Sequence, residues 1–202
     1  LAGIACLALF TLWFVRGANV KLACLVRTLR PADARLYAII RRAAERVGMT
    51  PPATFLSRAP MANAVSLVHS RQLVFTESAV AGLDDDALYA IALHELGHLQ
   101  EPPSQRRVRA AMLLPIFVLM ATFPLSELLE LDVLWLALAA LGLSVIAARG
   151  FRAFSRRMET RADAVAHGHH EEPGAYARAL AQLHTLGGIP AVLANSTHPH
   201  LY

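Results

Sequence analysis

His94, Glu95 and His98 stand in the stretch ALHELGHLQ, and their types and spacing suit one kind of chemistry. On a helix of 3.6 residues per turn, positions four apart lie one above the other, so both imidazoles can converge on a single metal ion. Glu95 lies about 100° round the helix from His94 and is aimed instead at a water held by that ion, where a carboxylate can take a proton. The flanking residues YAIAL and Leu99 are apolar, so this helix should be largely buried, and buried histidine and glutamate need partners. The competing reading is a solvated polar helix face, and the apolar flanks weigh against it.

The elements that must position this trio can be read around it. Asp84, Asp85 and Asp86 follow Gly82-Leu83 and suit the N-cap and first turn of the helix, where the dipole favours negative charge. Pro102-Pro103 stops it. Upstream, residues 33–47 (DARLYAIIRRAAERV) place Leu36, Ile39, Ile40, Ala43, Ala44 and Val47 at helical spacing, and Gly48 with Pro51-Pro52 ends that pattern. Residues 64–69 (AVSLVH) and 72–76 (QLVFT) read as two short strands joined at Ser70-Arg71. An edge strand beside a metal helix can take an extended peptide through main-chain hydrogen bonds. Asn63, Ala64, Val65 and Ser66 are therefore candidate substrate-binding residues, with a plain hairpin covering the core as the equal alternative.

Composition points to a membrane. Hydrophobic residues make up 55% of the 202, charged residues 17%, and mean hydropathy is +0.43, too apolar for a soluble domain of this length. The net charge of +4 does not indicate nucleic acid, because the arginines cluster beside apolar runs and no aromatic-basic surface accompanies them. With only Cys6 and Cys24, neither a disulfide framework nor a thiolate metal site is supported. Residues 1–15 (LAGIACLALFTLWFV) are continuously apolar and are followed by Arg16 and Lys21, which reads as the end of a transmembrane helix that begins upstream. The alternative, the apolar core of a signal peptide, would place its positive charges before the run.

Two further apolar runs, 110–125 and 133–148, are separated by SELLELD and read as a transmembrane hairpin. Arg106, Arg107 and Arg109 precede it and Arg149, Arg152, Arg156 and Arg157 follow, whereas the connecting turn has no basic residue. By the positive-inside rule both ends are cytoplasmic, and the helix of His94 with them. A buried helical hairpin inside a soluble protein is the alternative.

A third ligand is needed. The position six residues past His98 is Ser104, which excludes the class of zinc peptidases that takes a third histidine there. Just past the hairpin, Glu159 and Asp163 in RRMETRAD lie four apart on one helical face, so Glu159 can ligate while Asp163 orients a ligand imidazole. Taken alone, that pair reads first as an ordinary solvated charged face, and only its place after HELGH and the apolar hairpin favours the ligand reading. The run HGHHEE, with His167, His169, His170, Glu171 and Glu172, could bind metal but reads rather as a polar turn before a helix at 175–186, and His69 and His184 as ordinary surface or core histidines.

NAVSL, ALHELGHL, the hairpin in its place, SRRMETRADAVA, YARALAQLHTL and the terminal STHPH together resemble the HtpX-like membrane metallopeptidases, gluzincins related to the CAAX prenyl proteases. The resemblance covers most of residues 50–200. It implies Zn2+ on His94, His98 and Glu159, Glu95 as general base, Asp163 as support, and a catalytic approach by His198, which either steadies the oxyanion or takes the open zinc position.

The fold expected is a mainly α membrane protein, with a zincin-like α+β catalytic domain and small β-sheet interrupted by a transmembrane hairpin. Its divisions would be a transmembrane helix at 1–15, a first part of the peptidase domain at 16–107, the hairpin at 108–149 and a second part at 150–202. The function expected is zinc-dependent hydrolysis of membrane or misfolded proteins at a bacterial inner membrane, with the site facing the cytoplasm. Partners are then a protein or peptide substrate and the membrane, not nucleic acid. The rivals are an antirepressor-type membrane zinc protease in signalling and an inactive metal-binding scaffold, which would have no need of Glu95.

Overall fold

The computed structural model describes residues 18–111 and 132–188, with Ala5, Leu9, Thr122, Ser126 and Glu130 besides. His198, the terminal STHPH, and most of the apolar runs 1–15 and 110–125 lie outside the described residues. The chain divides into two compact units, one of Leu1–Ala18 with Pro102–Ser155 and the other of Asn19–Glu101 with Arg156–Tyr202.

In the second unit a short helix α1 (Ala18–Leu25) leads into strand β1 (Leu29–Pro31). Helix α2 (Ala34–Arg46) follows, capped by Asp33, whose side chain accepts from the Leu36 N–H. The apolar face expected from spacing is the buried one, since Leu36, Ile40, Ala43 and Ala44 are all sealed from solvent. Gly48 adopts φ +68°, a left-handed conformation that stops the helix, and the Met49 N–H closes onto the Ala44 carbonyl.

The sheet is larger than the hairpin read from sequence. β2 (Ala53–Ser57), β3 (Ala64–Leu67) and β4 (Gln72–Thr76) join β1 in the order β1-β2-β4-β3. β2 and β4 are parallel, with Phe55 opposite Val74, while β1 and β3 run antiparallel to their neighbours at the two edges. Pro31 is tolerated in β1 because an edge strand can leave one side unpaired. β3 stops at Leu67, two residues short of the expected end, because residues 68–71 form the turn and Arg71 takes φ +54°.

β4 runs straight into α3 (Glu77–Gly82) through Thr76, whose hydroxyl accepts from the Ala79 N–H and from the Asn63 N–H. α4 (Asp85–Leu99) then begins at Asp84, which caps the Ala87 N–H at 2.8 Å. Arg35 ties this corner to α2, donating to the carbonyls of Val80 and Leu83 and to Asp85. Every residue of α4 from Ala87 to Leu99 is buried, so it is the central helix of its unit, packed between α2, β3 and α7 (Ala175–Leu186).

α5 (Pro103–Ala111) precedes α6 (Val133–His169), a single helix of 37 residues. Sequence reading ended an apolar span near residue 148 and put Glu159 on a later helix. The helix is instead continuous through Gly150, since the arginine-rich stretch that follows holds no proline and consists largely of good helix formers. It also carries on through His167 and His169, which the turn reading had placed outside it, and the turn begins at His170. α6 is long and apolar enough to cross a membrane, and its apolar part is exposed, with Trp135 70% and Ile146 69% accessible.

Candidate metal centre

α4 and the C-terminal part of α6 bring the site together within one unit. His94 and His98 project from the same face of α4, with ring centroids 4.9 Å apart and planes nearly perpendicular. Glu159 reaches both from α6, placing Oε2 3.5 Å from His94 Nε2 and 3.6 Å from His98 Nε2. These three donor atoms all lie within 4.8 Å of one another. Donors about 2.0–2.1 Å from a tetrahedral ion would stand roughly 3.3 Å apart, so the two carboxylate-to-imidazole separations are those of a site that an ion can enter with little movement. Two imidazole nitrogens and one carboxylate oxygen also form a donor set that suits zinc.

The approach of the two helices depends on Gly97, between the histidines. A Cβ there would lie 2.9 Å from Ala162 Cα and 3.2 Å from Val165 Cβ, so only glycine lets the α6 backbone come this close. Ala162 is one turn past Glu159, and close packing at this point sets the reach of the carboxylate.

Each of the two imidazoles is held from behind. The Tyr176 hydroxyl donates to Asp163 Oδ1 at 2.6 Å and lies 2.7 Å from His94 Nδ1, which is itself 3.0 Å from Asp163 Oδ1. With the hydroxyl proton directed to Asp163, His94 Nδ1 is the donor to both oxygens, which leaves Nε2 as the atom that would bind a metal. The Tyr176 ring also stacks on His94 at 5.3 Å, and His167 packs edge-on against Tyr176. Behind His98 stands Glu101, with Oε1 3.5 Å from Nδ1.

Burial alone would lower both histidine pKa values. For His94, hydrogen bonds to Asp163 and Glu159 and the charge of Glu95 outweigh it and raise the pKa to about 9. For His98, Glu101, Glu159 and Glu95 act the same way and raise it to about 10. Burial would raise the Glu159 pKa, but the two histidines hold it well below the usual carboxylate range. Burial, then the Asp163 charge, pushes the Tyr176 hydroxyl far above its ordinary value, so it stays protonated as a donor. Several carboxylates thus face the two imidazoles, as at a site for a divalent cation.

The structure brings together His94, His98, Glu159 and Asp163 as spacing suggested, with Glu95 buried beside them on α4. Asn63 is exposed, its side-chain oxygen accepting from the Ala64 N–H at 2.9 Å, and Ala64, Val65 and Ser66 form the edge strand packed on α4. His169 and His170 take no part, being bonded to the Val165 carbonyl and the Glu172 N–H. Glu101 and Tyr176 were missed. Glu101 had a signal, its spacing of three from His98, whereas Tyr176 had none beyond its place in an amphipathic helix.

Among models of protein families, peptidase family M48 matches residues 31–202. No curated protein and no solved structure matches the chain.

Proposed function

This chain belongs to peptidase family M48, a family of metallopeptidases, and on that premise we propose that it is a membrane-anchored zinc endopeptidase of the HtpX-like kind. The observation that carries the reading is the convergence of His94 Nε2, His98 Nε2 and Glu159 Oε2 beside a buried Glu95. His94, His98 and Glu159 would hold the ion. When bound, zinc acts as a Lewis acid on the scissile carbonyl and makes the attacking water more acidic. Glu95 takes the proton of that water and passes it to the leaving amine. Asp163 and Tyr176 hold His94 in the tautomer that offers Nε2. His198 would assist from the segment outside the described residues.

The open edge of β3 suits an extended peptide. The Asn63 carbonyl accepts from the Thr76 N–H, and the alternation of an antiparallel pair then turns the peptide groups of Ala64 and Ser66 away from β4. A substrate strand added there would lie against α4 with little dependence on its side chains, which suits an enzyme that clears misfolded proteins.

The membrane part of the proposal rests on the exposed apolar stretch of α6 and on arginines on both sides of the segment 108–149. It places the chain in a bacterial inner membrane with the site facing the cytoplasm. In this division 1–15 is a further anchor, and 16–107 and 150–202 are the two parts of the peptidase domain.

Glu95→Gln tests the reading, because Glu95 is not a ligand. The purified variant is expected to keep one zinc per chain while its cleavage of casein or a membrane-protein substrate falls about 10²–10⁴-fold. Cleavage equal to that of the unaltered protein would rule the mechanism out.

A further inference from the structure

We propose that Glu101 is the positioning residue for His98, its carboxylate accepting from the Nδ1–H so that Nε2 stays turned toward the metal; the inference rests on the zinc reading above. Glu101 lies just beyond α4, where its N–H donates to the His98 carbonyl at 3.1 Å and closes the end of the helix. Its side chain folds back inward and is only 1% exposed.

Local energetics oppose a carboxylate at this place. The C-terminal end of a helix carries partial negative charge and favours lysine, arginine or histidine. Burial adds a desolvation cost that an isolated carboxylate cannot meet, so a glutamate here needs a proton donor or a cation close by. His98 supplies one. Its Nδ1 is buried, makes no hydrogen bond among the described residues, and lies 3.5 Å from Glu101 Oε1. That is ion-pair range and slightly longer than a normal hydrogen bond. On the far side of the ring, Nε2 faces Glu159 Oε2 at 3.6 Å.

The arrangement repeats, by different means, what surrounds the other ligand. His94 is backed by Asp163 from α6 and by Tyr176 from α7. His98 is backed from its own helix end, three residues on. An imidazole ligand with a carboxylate on its second nitrogen has a fixed tautomer and ring orientation and is a stronger base toward the metal.

Zinc affinity by chelator competition, measured on the full chain in detergent, tests this for the unaltered protein and Glu101→Gln. The variant is expected to bind zinc about 10–100-fold more weakly and to shift the visible absorption of the cobalt-substituted protein, which a purely structural role would leave in place. Affinity within twofold of the unaltered protein, with the same cobalt spectrum, would overturn the proposal. Should Glu101→Gln fail to fold, nitrogen-15 histidine spectra of the unaltered zinc-loaded protein decide. A slowly exchanging proton on His98 Nδ1 with Nε2 on the metal supports it, and metal on Nδ1 or a bare Nδ1 overturns it. No zinc bound by the unaltered protein would be a different result, removing the metallopeptidase reading itself.

Discussion

His94 and His98 are the same side chain on the same face of one helix, and what distinguishes them is the group behind each Nδ1. For His94 that group is a pair, and the pair is tight, with Tyr176 Oη within 2.6 Å of Asp163 and 2.7 Å of the imidazole. Tyr176 is 1% exposed, so no water can replace its hydroxyl without opening the core. Tyr176→Phe keeps the ring that stacks on His94 and removes only the donor. The expected cost is about 1–3 kcal/mol of stability, because a buried carboxylate and a buried imidazole each lose a partner. Zinc affinity should fall as well, since the Nδ1 proton keeps only one acceptor. Denaturant unfolding at fixed zinc concentration, alongside chelator competition, measures both. Unchanged values in the two would show that Asp163 alone suffices.

At the scale of elements, the site is the line of contact between α4 and α6, and Gly97 sets its closeness. Gly97→Ala should gain up to about 1 kcal/mol in helix propensity. The added Cβ, however, meets the Ala162 backbone at 2.9 Å, and backbone cannot rotate away as a side chain can. Overpacking of this kind costs about 1–3 kcal/mol, so the net effect should be destabilising. Glu159 would be displaced with α6, and zinc affinity should fall more than stability does. Gly168→Ala is the control, since a Cβ there meets nothing within 4 Å and should leave zinc affinity unchanged.

What could be read from sequence follows the same line. α2, α4 and α7 were legible because their apolar spacing is local, as is the Asp84 cap of α4, and Glu159 with Asp163 because four-residue spacing on a helix is local too. β1 and β2 were not. LRP is three residues long with a proline, and ATFLS pairs in parallel with a strand that follows it only after β3, so its partner is set by tertiary structure. Tyr176 could not be assigned because α7 alone does not say which helix it faces. Glu101 could have been, but a charged residue after a helix reads as a solvated end until its burial is known.

Across the whole molecule the candidate metal ligands come from two stretches separated by residues 102–155, yet they belong to one unit built from Asn19–Glu101 and Arg156–Tyr202. An ion held by α4 and α6 would therefore join the two halves of that unit, and it would bind only when they are docked. Ligand binding to the folded state alone adds RT ln(1 + [L]/Kd), about 2.7 kcal/mol when zinc exceeds its Kd 100-fold. Without the ion, two imidazoles and the carboxylates of Glu95, Glu101, Glu159 and Asp163 remain crowded in one buried cluster. Removing zinc with a chelator should thus lower the thermal midpoint of the detergent-solubilised protein, and returning zinc should restore it. Magnesium should not, because it prefers an octahedral shell of oxygens and the site offers two nitrogens and one oxygen at close quarters. A midpoint indifferent to chelation would mean that these residues carry their charges without a metal, and the cluster would then need another account.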